Sequence, residues 1–499
     1  MDLGGTWRAA VADDALRRVY VEPSYDDSGW IAVEVPGHWR STPALASSDG
    51  PVLYRRSFET DGLEVGQRAW LELDGVFYQS DVYLNDGYLG DTEGYFFPHR
   101  FEITDQLAER QDHVLAVEVA SSPPSDLGAK RNVTGVFDHW DAMDPDANAG
   151  GIWRPVRITT TGPIRILHYR CLCSDASPDS ATVSLRAVLG ATEPTDIELC
   201  TTLRRPTGET EQHQDIHELA AGENRVEWEV PVESPDLWWP HTLGEPHLHH
   251  VEVTVREVDG DVSDRRDHPI GLRSFELDNW IASVNGERLY LKGAHQGPAR
   301  LDLANATPDD LRRDVDLAVD CGLDLLRIHG HVSRPELYDA ADEAGLLLWQ
   351  DFPLQWGYAR QVLKQARRQA REMVDLLAHH PSVAIWCAHD EPVTVDVPPE
   401  SRTDPAGRPV GLMKTALGHQ LPTWNRTRLD TSVKRVIAKS DGSRPVIPHS
   451  GVFPHPPQLD GTDSHLWYGW YYGDERDLAR TLSLVPRLAR FVGAFGAQA

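Results

Sequence analysis

Apolar and polar positions alternate in short runs over the first 160 residues, the two-residue period of strands that bury one face. Runs around Phe58, Val82 to Leu84, Phe101 to Ile103 and Val114 to Val119 are separated by turn-forming residues, with Asn85-Asp86-Gly87 as a hairpin signal. The spacing predicts an antiparallel sandwich or jelly roll over 1–162, broken by a Ser-, Pro-, Asp- and Gly-rich loop at 121–150. Fresh periods at Ala181 to Leu189, Asp196 to Leu203, Asn224 to Val230 and His249 to Val255 predict an immunoglobulin-like β-sandwich over 163–274.

From 275 onward the pattern changes. Uniformly apolar runs alternate with stretches of helical period, which implies a parallel sheet with short connections. A helix is predicted from Thr307 as N-cap, with Pro308 in its first turn and Leu311, Val315 and Val319 on one face. Further helices are predicted at 334–344, stopped by Gly345, and at 361–378. Strands are predicted at 288–295, 323–331, 346–352, 383–391, 445–451, 463–471 and 490–496. A closed (β/α)8 TIM-type barrel needs eight strands, so a barrel over 275–499 is expected to stop after its seventh. Its two apolar sheet edges would then be covered by a second copy in a homo-oligomer or by a separately encoded C-terminal segment.

Composition narrows the class. The 499 residues carry 48 Lys and Arg against 77 Asp and Glu, a net charge of −29 that repels nucleic acid and anionic membranes. Only six of the 48 basic residues are lysines, a balance expected of a salt-loving organism. The first residues lack a secretory pattern and no apolar run is long enough to span a membrane, so a cytoplasmic protein is expected. Five scattered cysteines have neither disulfide nor zinc spacing and are expected to be buried thiols. No cofactor and no metal ligand set is expected.

Chemistry in such barrels sits at the C-terminal ends of the strands. Three predicted strand ends carry polar residues directly after apolar runs: His329 and His331, Asp351, and His389-Asp390-Glu391. Glycoside hydrolysis uses two carboxyl groups, one protonating the leaving oxygen and the other attacking the anomeric carbon or activating water. Glu391 suits the first role, although Asp390 and Glu391 also fit an ordinary pair bonded to loop backbone.

Many fragments in one order carry a resemblance. GTWRAAVADD, YDDSGWIAVEVPGHW, LYRRSFE, LELDGVFYQSDVYLNDGYLG and GGIWRPVRI resemble the sugar-binding domain of family 2 glycoside hydrolases. SPDLWWPHTLGEPHLHHVEV is similar to the Leu-Trp-Trp-Pro segment of β-mannosidase-like members. LKGAHQGP, RIHGHV, ELYDAADEAGLLLWQDFPL and IWCAHDEP follow in the family's barrel order, the last resembling its Asn-Glu acid/base motif. The resemblance implies a jelly-roll, immunoglobulin-like and TIM-barrel architecture. It also implies retaining hydrolysis of a terminal β-glycosidic bond, with a β-mannoside favoured over a β-galactoside or β-glucuronide.

By the same resemblance Glu391 matches the general acid/base, and Asp390 stands where the family has an Asn that binds the sugar 2-hydroxyl. Two adjacent carboxyls are expected to raise one another's pKa. DSHLWYGWYYG (463–473) resembles the sixth-strand segment of β-mannosidase-like members, which places His465, Trp467 and Tyr468 as sugar-lining candidates. Trp356 is a candidate stacking platform. Only one of His329 and His331 can face the mouth, and Arg327 either clamps a catalytic carboxylate or neutralises a buried one. RFVGAFGAQA (490–499) aligns with the segment that bears the family's nucleophilic Glu, and Ala494 occupies its place. A methyl group cannot attack an anomeric carbon, so a non-catalytic carbohydrate-binding protein is the rival expectation.

Overall fold

The computed structural model describes residues 1–121, 128–137, 149–300, 302–392, 423–452, 462–468 and 474–495. The N-terminal region is an antiparallel sandwich. A six-stranded sheet (Ile31–Val35, Gly5–Val11, Val52–Glu59, Asp112–Ala120, Gln79–Leu84, Gly87–Glu93) faces a three-stranded one (Val156–Thr161, Arg68–Leu73, His99–Glu102) across a core that includes Trp7, Trp39 and Leu71. Asn85 and Asp86 both have positive φ, making the tight two-residue hairpin that their sequence predicts.

Residues 164–270 form a second sandwich of a three-stranded and a four-stranded sheet. Strands such as His249–Glu257 alternate buried and half-buried positions, the mark of a sheet with one covered face. Trp238, wholly buried in the connection between Gly222–Glu233 and His249–Glu257, donates its indole N–H to the Asp342 carbonyl and so ties this sandwich to the C-terminal region.

Among the described residues, the C-terminal region holds seven strands in two parallel sets. Five form one sheet: β1 (Gly293–Gln296), β2 (Leu325–Ile328), β3 (Leu347–Asp351), β4 (Val383–Cys387) and β5 (Val446–Ile447). The remaining pair, β6 (Ser464–Leu466) and β7 (Val492–Phe495), is a separate parallel ladder. Backbone pairing therefore does not close a barrel among the described residues. His295 reaches from β1 across the gap and donates to the Gly493 carbonyl on β7 at 2.8 Å. Strands β2, β3 and β4 are buried along their whole length, whereas the edge strand β1 is largely exposed.

Helix α1 (Pro308–Asp320) begins with a capping box, the Thr307 hydroxyl accepting from the Asp310 N–H while Asp310 accepts from the Thr307 N–H. Helix α2 (Pro335–Ala344) stops at Gly345, which takes the left-handed conformation at φ 69°. Helix α3 (Leu363–Leu377) follows, and α4 (Asp430–Ser440) buries Val433 and Ile437 beside the barrel core. Helix α5 (Asp477–Leu484) precedes β7.

The structure departs from the sequence expectations in several places. The predicted strand 288–295 is divided: Glu287–Leu289 completes an antiparallel meander with Phe275–Asp278 and Ile281–Val284, and β1 starts only at Gly293. The cause is local, because Asn285 and Gly286 both adopt positive φ and fold the chain back into a two-residue hairpin. Helices α4 and α5 lie where no helix is predicted. Of the five cysteines only Cys171, Cys173 and Cys387 are buried, while Cys200 is half-buried and Cys321 exposed. No helix among the described residues is long and apolar enough to cross a membrane.

Candidate active site

The ends of β2 to β6 converge on one buried cluster of charge. Arg327, 2 % exposed on β2, reaches the ends of the next two strands. Its guanidinium binds Asp351 at the end of β3 at 2.9–3.2 Å and Asp390 beyond β4 at 2.6 Å, and it lies 4.9 Å from the centre of the Trp349 ring. Asp390 accepts a second bond from His329 Nε2 at 2.8 Å. Of the two alternatives for Arg327, the structure realises neutralisation of buried carboxylates, since its partners are Asp351 and Asp390 rather than Glu391. His329 is half-buried at the mouth, whereas His331 is buried against Phe137; residues two apart would share one side of a strand, but the strand ends at Ile328 and Gly330, at φ 57°, turns the chain between them.

The chain beyond β4 continues the sheet. Asp390 N–H donates to the Leu354 carbonyl, and Glu391 N–H donates to the Ser450 carbonyl at 3.2 Å. Glu391 itself has φ 39°, a left-handed conformation that costs a non-glycine residue of order 1–3 kcal/mol and is retained where surroundings over-determine it. The surroundings here are two indole N–H donors and an imidazole nitrogen. His465 Nδ1 lies 2.7 Å and Trp467 Nε1 3.3 Å from Oε1, and Trp356 Nε1 lies 3.2 Å from Oε2.

His465 is held from the opposite side as well. Its Nε2 lies 2.9 Å from Ser450 Oγ and 3.3 Å from Asp463 Oδ2, while Ser450 donates its own hydroxyl to Asp463 at 2.7 Å. Two glycines make the room. A Cβ on Gly451 would stand 2.4 Å from His465 Nδ1, and one on Gly493 would overlap the Asp463 carboxylate. Tyr468 donates its hydroxyl to Thr481 on α5 at 2.8 Å. Ala494 on β7 is buried and sits in register with His465.

Electrostatics follow from these contacts. Burial alone would raise the Asp390 pKa, but Arg327 and His329 outweigh it and hold the carboxyl well below its ordinary value. Asp351 moves the other way, pushed up by burial and by the charge of Asp390 despite Arg327. Burial also raises Glu391, yet the hydrogen bond and charge of His465 leave it below its ordinary value. The charge of Asp390 does raise Glu391, as expected of adjacent carboxyls, but it is outweighed because each carboxyl has its own cation. His465 loses to burial and gains more from Asp463 and Glu391, and stands at about 10.

A pH dependence of stability comes with that value. The imidazolium of His465 contributes fully below the unfolded histidine pKa of ~6.5 and is lost as pH rises toward about 10. We expect the unfolding free energy to decline between pH 7 and 10, by up to ~1.4 kcal/mol per unit, and His465→Gln to remove that decline. Equal slopes in urea titrations of the two proteins across this window would contradict it.

His329, Asp351 and Asp390 converge closely enough to hold a cation, but the Arg327 guanidinium already bonds both carboxylates. Sequence reasoning missed Asp463, which directly precedes β6, and Ser450, three residues beyond β5. Ser450 follows an apolar run, the same signal that singled out Asp351, whereas Asp463 stands before one.

Comparison with known proteins is consistent in kind. Residues 164–273 match the family model described as glycosyl hydrolases family 2, and residues 45–154 match its galactose-binding domain-like model. The chain is 27 % identical to β-mannosidase B of Thermothelomyces thermophilus, over 89 % of this chain and 54 % of that protein. It is 22 % identical to a putative β-glucuronidase of Formosa agariphila, over 93 % of this chain and 52 % of that protein. The chain spans about half the length of the curated relatives it matches. Among solved structures, a β-D-mannosidase from Dictyoglomus thermophilum superposes with a TM-score of 0.78 at 20 % identity, covering all of this chain and 63 % of that one. A Bacteroides uniformis β-glucuronidase gives 0.78 at 22 %, covering all of this chain and 59 % of that one.

Proposed function

We propose that this chain, which belongs to glycosyl hydrolase family 2, recognises the terminal sugar of a β-linked glycoside at the mouth around Glu391 and does not itself hydrolyse it. The single observation behind this reading is Ala494, in register with His465, which in turn holds Glu391 at 2.7 Å. A retaining mechanism needs a second carboxylate ~5–5.5 Å from the acid/base, and position 494 offers a methyl group. Asp351, Asp390 and Asp463, the other carboxylates beside the mouth, are buried and bonded to Arg327 or to Ser450 and His465. In this reading Glu391 is the inherited acid/base, and Trp356 and Trp467 carry it while bordering the sugar. His329, half-buried, borders the sugar, while Asp390, buried and bonded through both oxygens to Arg327 and His329, holds that ring in place. His465 and Tyr468 stand behind that surface, since their polar atoms are bonded to protein.

The division of the chain into 1–162, 163–274 and 275–499 belongs to the same reading, with the barrel part bearing the site. A β-mannoside is the favoured ligand, on the Leu-Trp-Trp-Pro segment and on relatives named β-mannosidase. Relatives named β-glucuronidase and β-galactosidase keep those two sugars as the second reading. Calorimetric titration of the chain with aryl β-mannoside, β-galactoside and β-glucuronide tests it. The mannoside is expected to bind best, with Trp467→Ala and Glu391→Ala each weakening it tenfold or more. Absence of binding by all three, or affinities untouched by both substitutions, would remove the assignment.

A further inference from the structure

We propose that the exchangeable proton of this site rests on Nδ1 of His465 rather than on Glu391, so that His465 is a positioning residue and Glu391 becomes an acid only by taking that proton. The inference rests on the reading of Glu391 as the group facing the sugar, and adds where its proton is kept.

The hydrogen-bond geometry points to it. Nε2 of His465 faces the Ser450 hydroxyl oxygen, whose proton is committed to Asp463, and the Asp463 carboxylate itself. Both are acceptors, and together they outweigh the Arg327 Nη1 donor at 3.3 Å, which places a hydrogen on Nε2. Nδ1 faces Glu391 Oε1, and Glu391 receives the Trp356 and Trp467 indole N–H groups as well. Two fixed donors on one carboxyl favour its anion. Nδ1 then donates to that anion across 2.7 Å, and the ring is an imidazolium.

The ring sits close against Gly451, where any Cβ would collide with its Nδ1 edge, and Trp467 packs edge-on at 5.8 Å. Charged groups face it from every side: Glu391 beyond β4, Asp463 before β6, and the Arg327 guanidinium from β2, with Nη1 at 3.3 Å from Nε2. Asp390 lies one residue before Glu391 and is bonded to Arg327 and His329. The guanidinium opposes the imidazolium and the two carboxylates favour it. They prevail, as the position of His465 at about 10 expresses.

The proton transfer balances within the pair. The Nδ1–H bond breaks with its electrons left on the ring, an O–H bond forms at Oε1, and imidazolium plus carboxylate become neutral imidazole plus carboxylic acid. Nε2 keeps its hydrogen toward Ser450 and Asp463. As a base or as an acceptor for a sugar hydroxyl, Glu391 is ready without any step.

The indole N–H groups of Trp356 and Trp467 report on Glu391 directly. With 15N-tryptophan labelling, and Trp356→Phe and Trp467→Phe for assignment, both signals in the unsubstituted protein are expected to stay constant from pH 7 to 5. In His465→Gln the same signals should titrate with at least a tenfold higher proton affinity of Glu391. Superimposable titrations in the two proteins would overturn the proposal. A second measurement needs no variant: 15N-histidine spectra should give His465 with both ring nitrogens protonated at pH 7.5, and a neutral ring there would overturn it. Neither readout involves sugar, so failure of glycoside binding would remove the functional reading while leaving the proton where these spectra find it.

Discussion

Ala494→Glu is expected to turn over an aryl β-glycoside that the unsubstituted chain leaves intact, with a rate gain on the order of 10⁴-fold or more. Ala494 is buried beside His465 on the paired strands β6 and β7, and His465 bonds Glu391 at 2.7 Å. A carboxylate introduced there meets an imidazolium already in place and faces the same mouth as Glu391. Attack on the anomeric carbon would give a glycosyl-enzyme, with Glu391 first assisting the leaving group and then activating water. Glu391→Gln in the Ala494→Glu background should return the rate to the unsubstituted level. Chromogenic β-mannoside, β-galactoside and β-glucuronide, compared side by side, would also identify the sugar. Comparable turnover by the chain as it stands would mean that Ala494 is not at the nucleophile's position.

The second large effect concerns stability. Arg327→Met is expected to destabilise the barrel region by about 3–5 kcal/mol, the cost of leaving a buried ion pair half-removed. Arg327 bonds Asp351 and Asp390, which are 0 % and 1 % exposed, and lies 4.0 Å from buried Asp463. Without the guanidinium, burial and mutual repulsion push their pKa values up. The sign then follows from linkage: carboxyls whose folded pKa is raised destabilise most when ionised, so the deficit should shrink as pH falls from 7 toward 4. Arg327→Lys keeps the charge but loses the planar fork that serves two strands at once, and should fall between the two. Urea unfolding followed by tryptophan fluorescence at pH 7 and pH 5 checks this. A loss below about 1 kcal/mol, or one independent of pH, would show that the carboxylates find other partners.

What the sequence determined by itself is what depends on near neighbours in the chain. Alternation over 181–189 and 249–255 marks strands with one wet face, because side chains two apart share a side. Thr307 and Gly345 mark helix ends, because a cap is satisfied within a turn. Apolar runs ending in His329 and His331, in Asp351 and in His389-Asp390-Glu391 mark strand ends, because the change from apolar to polar is read along the chain itself. Asn285-Gly286 carries an equally local turn signal, both residues taking positive φ.

Only the tertiary structure decided which of those mouths meet. Arg327 joins carboxylates 24 and 63 residues away, and His465 reaches Glu391 across 74. Such partnerships depend on sheet order and register, which no local period encodes. Hence the sequence left Arg327 between two roles and expected Asp390 and Glu391 to raise one another, when each has its own cation. It named His465 as a surface for sugar, although both ring nitrogens are taken by the protein. Charge in a buried cluster is set by what stands within 3 or 4 Å, and proximity at that scale is a property of the fold.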